Sequence, residues 1–153
     1  MTDPVPPPTF GARPVGVPCE ERPAAYAVIF DSFGRVAVVV AKDRWFLPGG
    51  GSLPGESAEA TVLREIREEC GRSARVTGRL GEAIQYFHDA TRWYGMLAVF
   101  FRAEFVGGQT GSAEHELVWV DPGETGGFYH QCHVWAVARG RIPTRPRREQ
   151  GQE

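Results

Sequence analysis

The sequence predicts a mixed α/β fold, and three observations carry that expectation. Apolar runs of strand length recur on both sides of one amphipathic helical segment. Clusters of Gly, Pro and Asp punctuate the runs and mark hairpins between them. A second helical pattern closes the apolar part of the chain. Helices at two unlike positions suit a mixed sheet covered on both faces.

Residues 1–23 hold Pro4, Pro6, Pro7, Pro8, Pro14, Pro18 and Pro23, the larger part of the chain's 12 prolines. Such a segment favours an extended arm and opposes both helix and central strand. Ala25–Phe30 and Arg35–Lys42 are apolar, β-branched runs separated by Asp31-Ser32-Phe33-Gly34, which signals a hairpin. Trp45–Leu47 is a short strand stopped by Pro48 and by Gly49-Gly50-Gly51. Ser57 is a fitting N-cap, with Glu59 in the first turn and Gly71 as the C-terminal stop. Between them Val62, Leu63, Ile66 and Cys70 form an apolar stripe. Val76–His88 and Tyr94–Phe105 are two longer strands joined by the polar turn Asp89-Ala90-Thr91-Arg92. Leu117–Val120 is a shorter one, and Phe128–Arg139 is the final helix, with Val134 and either Val137 or Ala138 inward. The expected organisation is an arm over 1–23, one domain over 24–140 and a polar, basic tail over 141–153.

Composition narrows the function. A chain of 153 residues with a net charge of -2 buries a real core and offers no bulk attraction to nucleic acid or anionic membrane. Cys19, Cys70 and Cys132 make no CxxC pair and no even-numbered framework, which fits a reducing cytoplasm. No apolar stretch approaches the roughly 18 residues of a membrane span. The expected partner is a small molecule, with no stable nucleic-acid binding; oligomeric state is left open.

The chemistry concentrates between Gly50 and Gly71. On a helix turning about 100° per residue, Glu65 and Glu69 lie about 40° apart and Glu68 about 60° to the other side. One face thus carries three carboxylates with no cation between them. Like charges at this spacing cost about 0.2–0.5 kcal/mol per pair, and a hard divalent cation would offset the repulsion. Mg²⁺ prefers carboxylate oxygens, water and substrate phosphates, so the segment reads as a metal-dependent phosphate site.

The same residues resemble the Nudix box of the Nudix hydrolases. Gly50, Glu56, Arg64, Glu65, Ile66, Glu68, Glu69 and Gly71 stand at that pattern's spacing, and the one departure is Arg72, where the family has a bulky aliphatic residue. Trp45 to Gly51 and Glu114 to Trp119 are similar to the family's strand and turn before the box and to its later acidic loop, so the resemblance covers about residues 24 to 138. It implies an α/β/α Nudix sandwich with a mixed β-sheet. It also implies Mg²⁺, for which Mn²⁺ can substitute, held by Glu65, Glu68, Glu69 and the Gly49 carbonyl, with Glu56 and Arg64 bracing the loop against the helix. The implied activity is hydrolysis of a phosphoanhydride in a nucleoside diphosphate linked to another group, a nucleoside triphosphate or a relative of it.

Other roles stay as alternatives. The general base is Glu69 or Glu65 within the box, or an outside glutamate, with Glu116 the first choice over Glu114 as an additional metal ligand or base. Gly50 and Gly51 offer backbone N–H groups to phosphate, and Arg35 and Arg44 head the cations for the outer phosphates, followed by Lys42 and Arg92. Tyr86, Phe87 and Trp93 are candidates to stack on a base. His130 and His133 flank Cys132 but lack the second pair that a structural zinc site needs. Two function classes compete: the hydrolase, and a non-catalytic nucleotide-sensing or partner-binding module. The intact set Glu65, Glu68 and Glu69 favours the hydrolase. Isoprenoid isomerisation on the same fold would need further Cys and Glu motifs that are missing here. The substrate stays open, because the proline and tyrosine that mark ADP-ribose and dinucleoside polyphosphate enzymes after the box find no match in place.

Overall fold

Alternation along the central strands builds two cores back to back. The computed structural model describes residues 5–141; the tail over 142–153 lies outside the described residues. In β2 (Cys19–Val28) and just beyond it, Ala24, Tyr26 and Val28 face one core while Ala25, Ala27 and Ile29 face the other. β3 (Val36–Ala41) repeats this, with Val36 and Val38 on the first side and Ala37 and Val39 on the second. Strands buried on both faces read as continuous apolar runs, which is why both were visible as such.

Helix α1 (Ala58–Cys70) covers the second core with Val62, Ile66 and Cys70. Helix α2 (Gln131–Arg141) covers the first with Cys132, Ala136 and Val137. The result is an α/β/α sandwich. One sheet has the order β1-β6-β7-β2-β5 and the other β4-β3-β8. Here β1 is Thr9–Phe10, β4 Arg44–Phe46, β5 Gly49–Gly51, β6 Ser73–Asp89, β7 Arg92–Val106 and β8 Glu116–Val120. The five-stranded sheet is mixed, with β2 parallel to β7, β1 parallel to β6 and its other pairs antiparallel, whereas the three-stranded sheet is antiparallel throughout.

Local chemistry explains the ends of α1. Ser57 Oγ accepts from Ala60 N at 3.1 Å, and Gly71, with φ 64°, donates its N–H to Arg67 O at 2.9 Å. The Asp31 hairpin is likewise self-made, since Asp31 Oδ1 accepts from the backbone of both Phe33 and Arg35.

Three expectations are corrected. The strand expected from Ala25 begins at Cys19, within the segment read as an arm, and contains Pro23. Pro23 pairs in register with Leu97 of β7, while its carbonyl points the other way and accepts from Ser52 N at 2.9 Å. Its missing N–H therefore falls on the side where β5 has ended, so the ladder with β7 loses nothing. Thr9–Phe10 also joins the sheet, as an edge strand beside β6. Finally, the last helix starts at Gln131 instead of Phe128, because Phe128 forms a parallel bridge with Trp45; Val137 is its inward residue and Ala138 is exposed.

Candidate active site

Three glycines expected as a turn form the short strand β5 against β2. Gly49 has φ 146°, and a Cβ there would collide with Ala25 O and come within 2.6 Å of Tyr26 Cα. Only glycine permits this approach. A Cβ on Gly50 would strike Glu65 Oε2, so the Glu65 carboxylate lies against the Gly50 backbone. Gly49 N–H donates to Glu69 Oε1 at 2.9 Å. Strand and helix thereby bring Glu65 and Glu69 together over the glycines.

Arg64 and Glu56 hold that junction. Arg64 donates from Nε to Glu56 Oε2 at 2.7 Å and from Nη2 to Glu56 Oε1 at 3.0 Å. The same Nη2 reaches Gly51 O at 3.0 Å. Glu56 also accepts from Leu53 N and from Thr61 Oγ1. The Arg64 guanidinium, then the Leu53 N–H, hold the Glu56 carboxyl down at about 2.

The glutamates above β5 are shifted the other way. Burial pushes the Glu69 carboxyl up to about 8, despite the Gly49 N–H, and the charges of Glu65, Glu114 and Glu68 add to the shift. Burial likewise raises Glu65, with Glu68 and Glu114 contributing and Arg64 opposing. Glu68 turns outward and sits 3.3 Å from Arg64 Nη1, so among the described residues no three such side chains already converge on one point. Two half-buried carboxylates fit a divalent cation well, since the cation beside them, Arg64, is bound chiefly to Glu56 and reaches Glu65 Oε2 only at 3.5 Å. The donors are all oxygen, and a second positive charge would relieve both desolvated acids.

Two glutamates near the end of α1 are candidates for the outside position. Glu116 lies on β8 opposite Val40, Glu114 lies in the loop before it, and both are exposed. Glu114 is the one whose charge acts on both Glu65 and Glu69. Its N–H donates to Glu68 O, and His115 N–H to Glu69 O, each at 3.2 Å, so the acidic loop hangs from the end of α1.

A cleft of about 530 Å³ connects Glu65, Glu69 and the β5 glycines to an aromatic group. That group comprises Phe46, Phe87, Tyr129 and His130. Trp45 N–H donates to Gly127 O and Tyr129 N–H to Trp45 O, which sets Tyr129 beside Phe46. Behind them His133 is fully buried and its Nδ1 accepts from Leu47 N at 3.1 Å. Burial lowers the pKa of His130 to about 4 and that of His133 well below its usual value, so both are neutral rings packed among aromatics.

Of the expected cations, Arg44 and Lys42 line the cleft. Arg35 does not: Asp31, which orders the hairpin, captures it at 2.8 Å, and it stacks on Phe33. Arg92 pairs with Glu20. Of the expected stackers only Phe87 lines the cleft; Tyr86 packs against Gly95 and Trp93 against His88. Sequence reasoning missed Arg22 and His115, both lining the cleft. Arg22 was hidden beside Pro23, whereas His115 was signalled by its position between the two glutamates.

A sandwich with an acidic helix laid on a glycine strand, at the head of an aromatic-lined cleft, defines a carboxylate-rich site for phosphate chemistry. A family model described as the NUDIX domain matches residues 20–139, and the chain belongs to the Nudix hydrolase family, whose members generally use divalent metal ions. It is 33% identical over 104 residues to a candidate 8-oxo-dGTP diphosphatase of Bacillus subtilis (strain 168). That alignment takes in 65% of this chain and 66% of the relative, so the chain spans slightly less than two thirds of its length. Among solved structures it resembles a MutT protein from Methanosarcina mazei Go1 at 26% identity and a TM-score of 0.56, over 68% of this chain and 79% of that one. A Nudix hydrolase from Nitrosomonas europaea shares the fold at 18% identity and a TM-score of 0.62, over 79% and 88% of the two chains.

Proposed function

We propose that the chain is a Mg²⁺-dependent pyrophosphohydrolase that cleaves a phosphoanhydride bond of a nucleoside triphosphate or a close relative. The observation that carries this reading is the pair Glu65 and Glu69, both raised by burial and set against the β5 glycines, at the head of a cleft lined by aromatic rings. Glu65, Glu69, Glu68 and the Gly49 carbonyl would hold the cation. When bound, it screens phosphoryl charge and lowers the pKa of a coordinated water.

The chain's own residues do the rest. Glu56 and Arg64 keep β5 and α1 at a fixed separation. Arg22, Lys42 and Arg44 supply positive charge along the cleft for the outer phosphates, and Phe46, Phe87 and Tyr129 offer faces to a base. Glu114 takes the place expected of Glu116 and accepts the proton of the attacking water. The three cysteines are free thiols, consistent with work in the cytoplasm.

The test is phosphate or pyrophosphate release across a panel of nucleotides with Mg²⁺, with 8-oxo-dGTP beside dGTP because of the Bacillus subtilis relative's name. Release from none of them would leave a binding module. Within the panel, Glu114→Gln should lower kcat by about 10²-fold or more with little change in KM, and Glu116→Gln should stay near wild type. A crippled Glu116→Gln beside a normal Glu114→Gln would reverse the assignment.

A further inference from the structure

Arg72 is the one position where the chain leaves the box pattern, and the structure puts that residue to use. Its guanidinium lies 4.0 Å from the centroid of the Phe105 ring, so its planar group occupies apolar company of the kind an aliphatic side chain would seek. Its Nη2 also donates to Gly107 O at 2.8 Å. Ser73 and Val106 are the last rung of the β6–β7 ladder, so Arg72 and Gly107 stand one step beyond it and the side chain adds a further rung. Gly107 has φ 71°, a left-handed residue at which the chain turns away from β7.

That turn leads into the loop that closes the end of α1. Thr110 N–H donates to Gly71 O at 2.8 Å and Gly111 N–H to the same oxygen at 3.2 Å. Glu114 and His115 donate to Glu68 O and Glu69 O. Carbonyls of the last helical turn have no partner within the helix, and here the loop supplies four N–H groups to them. Phe105 ties the far side as well, since it meets Trp119 of β8 edge-on at 6.0 Å. Gly71 leaves no slack, because a Cβ there would collide with Gly111 O.

We propose that Arg72 is a positioning residue: stacked on Phe105 and bonded to Gly107, it latches the loop 107–115 onto the C-terminal turn of α1 and so holds Glu114 beside Glu65 and Glu69. Its consequence for turnover rests on the role given to Glu114 above; the latch itself does not.

The experiment follows amide hydrogen exchange in the metal-free full chain and steady-state kinetics in the same variants. Arg72→Leu restores the aliphatic residue of the family pattern and keeps the packing on Phe105. It should speed exchange at Thr110, Gly111, Glu114 and His115 by about tenfold, the worth of one charge-assisted hydrogen bond, and leave the Ser73 and Val106 region unchanged. Its kcat should fall by about tenfold or more at nearly constant KM, as for a displaced reacting group. Arg72→Lys, which keeps a donor, should recover part of both. Unchanged protection in Arg72→Leu overturns the latch, and lost protection with unchanged kcat overturns its positioning role. Should Arg72→Leu fail to fold, Arg72→Lys decides by the same two readouts. A fully active Glu114→Gln would remove the catalytic consequence while the exchange data still judge the latch.

Discussion

Glu69→Gln should lose turnover by at least about a hundredfold, more than the loss of an outer-shell partner costs a metal site, while the metal-free protein keeps its fold. Gln retains the oxygen that accepts from Gly49 N–H, so the contact between α1 and β5 survives. It removes a charge that the site disfavours without a cation. The Glu69 carboxyl titrates at about 8 in the folded chain against 4.5 ordinarily. With the folded value raised, the native state binds the proton more tightly than the unfolded chain. That stabilisation is complete below about 4.5 and is lost as pH rises through about 8. Thermal melts of metal-free protein should therefore show wild type declining across this window, and Glu69→Gln should lack that component. At about pH 8 the variant should melt higher than wild type, and the two should converge toward about pH 5. Equal slopes, or near-normal kcat at saturating Mg²⁺, would remove Glu69 from the site.

The second large effect is structural. Ile66 is fully buried between the glutamates' helix and the sheet, in one core with Val62, Ala27, Val39 and Phe101. Ile66→Ala should cost about 2–5 kcal/mol in denaturant titrations, the range for truncating a buried branched residue with partial collapse of the cavity. A loss under about 0.5 kcal/mol, the scale of surface changes, would mean that α1 presents a different face to the sheet.

What was legible follows from the range of the forces involved. Helix α1 was readable to the residue, because Ser57, Gly71 and the apolar stripe act over a few positions of chain. The Asp31 hairpin was readable for the same reason. The cations were not. Arg35 and Arg44 look alike in sequence, and only the capture of Arg35 by Asp31 removes it from the cleft. The aromatic lining was hidden because Tyr129 and His130 reach Phe46 through a bridge between Trp45 and Phe128, two segments distant in the chain. Spacing alone did not separate Glu114 from Glu116: β8 begins at Glu116, paired with Val40, and Glu114 stays in the loop bonded to the end of α1.

The parallel pairing of β2 with β7 bears on how the chain assembles. Tyr26 and Met96, whose side chains touch across these strands, lie 70 positions apart. Contacts of such separation must wait for a large loop to close, which places the protein among slow-folding topologies. During synthesis α1 is complete long before β7 leaves the ribosome, and Val62 and Ile66 then lack Phe101 and Ala103 to cover them. A nascent chain halted before residue 92 should accordingly show chaperone engagement around α1, which disappears once the segment through Val106 has emerged.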